Sequence, residues 1–258
     1  MANDKIRFDA VSKRFGQLTV LDQLDLSIGA GEVVSIIGPS GSGKTTVLRC
    51  LMTLEHVDDG VIYIDGTPLN KECRDSGLVE ASQAHLRRMR TKLGMVFQNF
   101  NLFPHLTVLQ NCSEPPVYAL GLTASEARNR AMELLKMVGM DSKRDHYPAQ
   151  LSGGQQQRAA IARTLVMQPE ILVFDEPTSA LDPETTEEVT EVIRALASKH
   201  SYTMVMVTHQ IDFACDISDR ICFFDKGKIV EQGPPNDVVN APKEARTRQF
   251  LRKVAKAR

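Results

Sequence analysis

Neither sign of charge predominates in this chain: 31 Lys+Arg stand against 32 Asp+Glu, a formal net charge of −1. A dedicated DNA-binding protein carries a strong basic excess, so that class is excluded. Long hydrophobic runs are missing too. No apolar stretch approaches the roughly 18 residues of a membrane-spanning helix, and the longest clusters, Val33–Ile37 and Ile171–Phe174, have strand length. The start, Met1-Ala2-Asn3-Asp4-Lys5, lacks an apolar segment, so no secretory signal is predicted. Cysteine is scarce, with five at positions 50, 73, 112, 215 and 222, and no CxxC pair. That pattern predicts reduced, mostly buried thiols in a cytoplasmic protein. Cys215 and Cys222 lie nearest one another but lack a clustered His or Cys partner, so no metal site is predicted there. Apolar residues are not scarce: at 42 % of 258 residues they exclude disorder and suffice for one large domain or two small ones.

The order of elements is readable. Leu24-Asp25-Leu26-Ser27-Ile28 alternates apolar and polar residues with the period of a half-buried strand, and Ile6-Arg7-Phe8 precedes it. Val33-Val34-Ser35-Ile36-Ile37 is nearly continuous in β-branched residues, as a strand buried on both faces should be. A Gly-rich loop follows, then a helix predicted over about 44–54. Val61–Ile64 reads as a strand closed by the Asp65-Gly66 turn pair. Arg87, Arg88, Arg90 and Lys92 form a basic cluster read as a solvated helix face. Leu93–Phe97 is a further strand, and 101–168 is helical, with a capping box at Thr123 and Glu126. Pro115 and Pro116 are expected to interrupt any helix begun at Thr107. From Ile171 onward strands alternate with helices, which predicts a parallel sheet with helices on both faces. The tail 243–258 is basic and predicted to be a short amphipathic helix.

Three segments carry chemistry. Gly38-Pro39-Ser40-Gly41-Ser42-Gly43-Lys44-Thr45 matches GxxxxGK[ST], between a buried strand and a helix as the motif requires. Its glycines let backbone N–H groups converge on phosphate oxygens at a helix N-terminus. Lys44 adds positive charge for β- and γ-phosphates, and the Thr45 hydroxyl can ligate Mg²⁺. Ile171-Leu172-Val173-Phe174 ends in Asp175 and Glu176. Strand alternation sends the two carboxylates in different directions, so Asp175 suits a Mg²⁺ shell and Glu176 the orientation and deprotonation of an attacking water. Leu151-Ser152-Gly153-Gly154-Gln155-Gln156-Gln157-Arg158 holds a capping-box pattern plus two glycines whose uncovered N–H groups offer a second anion site.

The series GPSGSGKT, Gln98, LSGGQQQR, ILVFDEPTSALD and His209 resembles the ATP-binding subunit of an ABC transporter over about residues 5–240. The resemblance implies a P-loop NTPase core of α/β class with a parallel sheet, a small antiparallel β subdomain and an inserted α-helical subdomain. It places the ATP-binding core in 1–100 and 165–240, the helical signature subdomain in 101–164 and a helical tail in 241–258. ATP is then bound by Phe15, which stacks on adenine, and by Gly38, Pro39, Ser40, Gly41, Ser42, Gly43, Lys44, Thr45 and Thr46. Mg²⁺ falls to Thr45, Gln98 and Asp175, and catalysis to Glu176, His209 and Gln98. Ser152, Gly153, Gly154 and Gln155 act in trans on the nucleotide of a second copy, and Asp182 crosses the dimer interface.

Implied partners are that second copy, separate integral membrane permease subunits contacted by Asn99–His105 and, indirectly, a periplasmic or extracellular solute-binding protein. Nucleic acid is not among them, and the location is peripheral, on the cytoplasmic face of the cell membrane. The runs Leu48–Glu55 and Val96–His105 resemble the polar amino acid uptake branch. Within it, Leu51-Met52-Thr53-Leu54-Glu55 is most similar to ectoine/hydroxyectoine uptake ATPases. Gln110–Pro116 departs from that branch, where Glu-Asn-Val-Thr is usual. The alternatives are an exporter ATPase and a non-transport relative acting on DNA or ribosomes. The missing long coiled coil and the single cassette speak against the latter.

Overall fold

The computed structural model describes residues 4–74 and 77–256. Met1, Ala2 and Asn3 of the predicted leaderless start, and Ala257 and Arg258 of the basic tail, lie outside the described residues. Contacts divide the chain into two compact units, one built from residues up to 90 and from 200 onward, the other from residues 91–199.

In the first unit β1 (Asp4–Phe15) and β2 (Leu18–Gly29) form a long antiparallel hairpin. The period-two pattern holds: Leu24, Leu26 and Ile28 are buried while Gln23, Asp25 and Ser27 face solvent. Strand β3 (Val33–Ile37) is buried throughout and leads through the Gly-rich loop into α1 (Lys44–Leu51). The helix stops short of the expected 54, because Thr53 takes a left-handed φ of 54°. β4 (Asp59–Ile64) adds to β1 and turns through Asp65 and Gly66, both at positive φ, into β5 (Thr67–Pro68). That is the two-residue turn that the Asp-Gly pair favours. A small hairpin of β6 (Lys71–Arg74) and β7 (Gly77–Glu80) precedes α2 (Gln83–Arg90), on which Arg87, Arg88 and Arg90 are exposed as expected.

The second unit opens with β8 (Leu93–Val96), followed by α3 (Val108–Leu120), α4 (Ala124–Met137) and α5 (Gly153–Val166), then β9 (Ile171–Asp175) and α6 (Pro183–Ala197). β8 and β9 pair in parallel, Leu93 opposite Ile171 and Val96 opposite Phe174. The three helices pack through small and apolar positions, with Ala127, Ala131 and Leu135 of α4 at four-residue spacing.

The chain then returns to the first unit with β10 (Thr203–Val207), α7 (Ile211–Ile217), β11 (Arg220–Asp225), β12 (Lys228–Gly233) and α8 (Ala245–Lys256). β3 runs parallel to both β10 and β11, and β12 closes that edge antiparallel to β11. The one polar side chain of β3, Ser35, is satisfied by a 2.6 Å hydrogen bond with the Ser218 hydroxyl.

One sequence expectation fails. Helix α3 runs unbroken through Pro115 and Pro116, although their missing N–H groups leave the carbonyls of Asn111 and Cys112 without their usual helical donors. Its ends explain the tolerance. Thr107 and Gln110 form a reciprocal capping box, with bonds of 3.2 and 2.8 Å. The N–H groups of Val108 and Leu109 donate to the carbonyls of His146 and Arg144. At the far end Gly121 (φ 72°) and Leu122 both donate back to the Pro116 carbonyl. Asn111, with no exposed surface, accepts from Phe103 N–H and donates to the carbonyls of Phe103, Leu106 and Thr107. Capping and tertiary packing together outweigh the local penalty of about 3 kcal/mol per interior proline. Asn111→Ala removes four bonds from a dry site and is expected to destabilise the chain by about 2–3 kcal/mol in urea unfolding, since stranded buried partners carry the larger cost.

Candidate active site

In the first unit the phosphate-type loop hangs between a rigid strand and a helix start. A Cβ on Gly38 would lie 2.0 Å from the Phe224 carbonyl oxygen, so only glycine lets β3 leave the sheet alongside β11. Gly43 caps α1 at φ 107° with no side-chain acceptor, and α1 has no acidic residue in its first turn. No acid of the helix's own first turn competes there for an anionic ligand. Lys44 is only 5 % exposed, and its ammonium donates to the carbonyls of Gly38 and Pro39, both at 2.9 Å. The Ser42 hydroxyl is buried without a hydrogen-bond partner. An orphaned donor beside a folded-back ammonium fits a loop that completes its bonding on a polyanion. Thr45 is exposed in the first turn of α1, and Thr46 is half-buried next to it.

Two further predicted residues belong to this unit. Phe15 ends β1 with 47 % of its surface exposed, so an aromatic face is available for stacking. The Lys13 ammonium lies 5.0 Å from its centroid and is anchored at 3.3 Å by Asp58. His209 is exposed directly after β10, on a turn fixed by the Gln210 N–H donating to Thr208 Oγ1 at 3.0 Å.

In the second unit β9 ends at Asp175, and Glu176 takes a left-handed φ of 47°. Glu176 thus lies outside the strand, so strand alternation does not extend across the pair as expected. A non-glycine residue in this region costs about 1–2 kcal/mol and marks a constrained position. Ser179 holds the bend by donating its N–H and its hydroxyl to the Glu176 carbonyl. Gln98 lies exposed in the turn after β8. Beyond it Phe100 and Asn101 are both left-handed, and Arg163 locks them by donating to both carbonyls, at 3.2 and 2.6 Å.

The Ser152 capping box forms as predicted: Ser152 Oγ accepts from Gln155 N–H at 3.3 Å, and Gln155 Oε1 accepts from Ser152 N–H at 3.1 Å. Gly153 and Gly154 occupy the first turn, whose N–H groups have no intrahelical acceptor. Their lack of side chains also has a packing cause. A Cβ on Gly154 would sit 2.7 Å from Thr185 Cβ, and one on Gly153 would sit 3.0 Å from Leu181. Asp182 caps α6, accepting Thr185 N–H at 3.0 Å and its hydroxyl at 2.8 Å. These bonds hold its carboxyl below the usual range.

Sequence reasoning assigned no role to Gln157. It is fully buried on α5 and donates through one amide to the carbonyls of Phe97 (3.2 Å) and Pro177 (2.7 Å). It thus ties the residue before Gln98 to the residue after Glu176. Its place two positions beyond the signature was visible, but nothing in the pattern marked it as inward-facing. The thiols of Cys50, Cys112 and Cys222 are pushed up to about 12 by burial, so they stay protonated and unreactive at neutral pH. Among the described residues no three His, Cys, Asp or Glu side chains form a metal cage.

The ABC transporter family profile matches residues 21–179. The probable amino-acid ABC transporter ATP-binding protein y4tH of Sinorhizobium fredii is 58 % identical over 254 residues, 98 % of this chain and 99 % of that protein. The glutamine transport ATP-binding protein GlnQ of Bacillus subtilis is 49 % identical over 249 residues, 96 % and 98 % of the two chains. The dimeric post-hydrolysis structure of the ATP-binding cassette MJ0796 bound to ADP and Pi superposes with a TM-score of 0.77 at 37 % identity, covering 89 % of this chain and 98 % of that one. The chain belongs to the ABC transporter family and is one of its ATP-hydrolysing cassettes. Gln157→Leu strands two buried carbonyls, so it is expected to lower stability by about 1–3 kcal/mol. It should also depress ATP turnover under conditions where the variant remains folded, as read by phosphate release.

Proposed function

We propose that this cassette powers an importer of polar amino acids or related compatible solutes, ectoine and hydroxyectoine included, acting as a head-to-tail dimer on separate permease subunits at the cytoplasmic membrane face. A solute-binding protein delivers substrate to those subunits. The names of similar proteins, glutamine, arginine and cystine transport ATPases among them, support the substrate class. The Leu51–Glu55 run supports the ectoine branch. Among the described residues no helix is long and apolar enough to cross a membrane, which agrees with a permease on other chains. The observation that carries the reading is the pairing of one phosphate loop bearing an orphaned Ser42 hydroxyl with one Ser152-capped helix start in the same chain. Each is half of an anion site, and two copies supply two whole ones.

In this mechanism the Lys44 ammonium leaves the Gly38 and Pro39 carbonyls for β- and γ-phosphate oxygens. Ser42 and the α1 N–H groups complete the cradle, through Gly41, Gly43, Ser40 and Thr46, and Phe15 stacks on adenine. Thr45, Gln98 and Asp175 would hold Mg²⁺, which would offset phosphate charge. Glu176 accepts the proton of the attacking water while its oxygen bonds to the γ-phosphorus and the bond to the β-bridging oxygen breaks, releasing ADP and phosphate. His209 contacts the γ-phosphate. Ser152, Gly153, Gly154 and Gln155 close on it from the other copy, with Asp182 at the interface. Closure by ATP and opening after hydrolysis form a two-state switch.

By role, 1–100 with 165–240 is the nucleotide core, 101–164 the signature subdomain and 241–258 the tail. The permease contact falls on the segment Asn99–His105 and the C-terminal half of α3. There a cavity of about 450 Å³ is lined by Phe103, His105, Leu106, Pro115 and Tyr118, and Tyr118 is 84 % exposed. The continuous helix through Pro115 and Pro116 shapes this wall, so the departure at 110–116 falls on the surface that selects the permease.

Glu176→Gln is expected to bind ATP, trap a dimer visible by gel filtration and lose about 10²–10⁴-fold in turnover. Near-normal hydrolysis would remove Glu176 from the mechanism. Ser152→Arg should abolish turnover while an isolated chain still binds ATP. Loss of monomer binding would contradict action in trans. Reconstitution with the permease and binding protein encoded beside this chain, screened with polar amino acids and ectoine, should show solute-stimulated phosphate release. No response to any of these solutes would rule out the proposed substrate class.

A further inference from the structure

The basic tail finds no use in the reading above, yet α8 is tied to the strand that supports the phosphate loop. Phe223 and Asp225 are two apart on β11 and share one face. Phe250 and Arg246 are four apart on α8 and share one face. The repeats match, about 6.6 Å along a strand against about 6 Å along a helix. Phe223 and Phe250 rings pack with centroids 5.2 Å apart, while Arg246 Nε donates to Asp225 Oδ2 at 2.6 Å and Nη2 to Oδ1 at 3.4 Å. The Asp225 side chain is 9 % exposed. Phe250, Leu251 and Val254 add α8 to the cluster of Ile37, Ile211, Ile221 and Phe223. The start of the tail is pinned as well, with the N–H groups of Lys243 and Glu244 donating to the Glu231 carboxylate at 2.7 and 3.2 Å.

The residues between and after these anchors touch the phosphate loop. The Phe224 carbonyl lies against Gly38, and a Cβ on Gly43 would be 3.3 Å from the Phe224 ring. Within the two-residue turn that follows β11, Gly227 N–H donates to the Ser42 carbonyl at 3.1 Å, and Gly227 O accepts from Asp22 N–H at 3.2 Å. Asp225 pairs with Lys228 to close that turn, so its ion pair with Arg246 lies one residue from Phe224 and two from Gly227.

We propose that Arg246 is a positioning residue for the phosphate loop, acting through Asp225, so that docking of the tail helix tunes nucleotide affinity and leaves the hydrolytic step unchanged. This rests on the reading of Gly38–Thr45 as the nucleotide site.

The test is ATP affinity by calorimetry and steady-state turnover on the full chain. Arg246→Met should raise the ATP Kd about three- to tenfold, the loss of one charge-assisted contact felt second-hand, with kcat at saturating ATP within about twofold of the parent. Asp225→Asn should do the same, and the double variant should add less than about twofold. Arg246→Lys keeps the charge without the fork, so it should recover most of the affinity. It also carries the test, as a smaller rise in Kd, if Arg246→Met fails to fold. Unchanged Kd in Arg246→Met, additive losses in the double variant, or a fall in kcat at constant Kd would each overturn the proposal. Lys44→Ala separates the two failures. If it loses ATP binding while Arg246→Met keeps it, only the role of the tail is wrong. If Lys44→Ala binds ATP like the parent, the nucleotide site itself is misassigned.

Discussion

A fully buried strand must become a helix within six residues while its backbone N–H groups stay uncovered, and the first unit is organised around that constraint. β3 can emerge only where Gly38 lies against the Phe224 carbonyl, and α1 can begin only without a competing acid or side-chain cap. The resulting loop is left incomplete: an ammonium bonded to the loop's own carbonyls, an orphaned hydroxyl and a helix start without a side-chain cap. Each of these costs stability in isolation and is satisfied by one polyanionic ligand. The hairpin of β11 and β12 beneath it, with the tail helix behind, is the rigid backing for that unfinished surface.

The second unit follows the other rule for functional loops, in which irregular backbone is held by polar side chains from a helix. α5 supplies two of them, Gln157 buried and Arg163 half-buried. Gln157 reaches the carbonyls beside Gln98 and Glu176, and Arg163 reaches two consecutive left-handed residues just beyond Gln98. Asn111 on α3 does the same for the segment that follows. The helix that displays the signature at its N-terminus therefore also sets the loop after β8 and the bend after β9. Signature and loops are thus supported by one helix.

Much of this was readable from residues alone. The buried run Val33–Ile37, the turn pair Asp65-Gly66, the capping boxes at Thr123 and Ser152, and the alternation of strands and helices after Ile171 all appear where local chemistry puts them. Failures cluster where non-local contacts decide. Pro115 and Pro116 read as helix breakers because their penalty is local, while the compensation comes from residues 144, 146 and 103–107 and from Gly121. Asp175 and Glu176 read as strand neighbours because a left-handed φ at glutamate has no sequence signature. The glycines of the signature read as anion-site residues, and their contact with Thr185 was invisible until α6 lay beside them.

Residue order determined the class of this protein: a phosphate loop, a capped signature helix and a strand ending in two carboxylates are short motifs whose chemistry is local, and the likeness to a transport ATP-binding protein, 58 % identical, runs along 98 % of the chain. Tertiary structure decided which side chains position that chemistry. Gln157, Arg163 and Asn111, and the Arg246–Asp225 pair that ties the tail to β11, lie far in sequence from what they hold. Their roles rest on hydrogen bonds between distant segments, whose distances and angles exist only after the chain has packed.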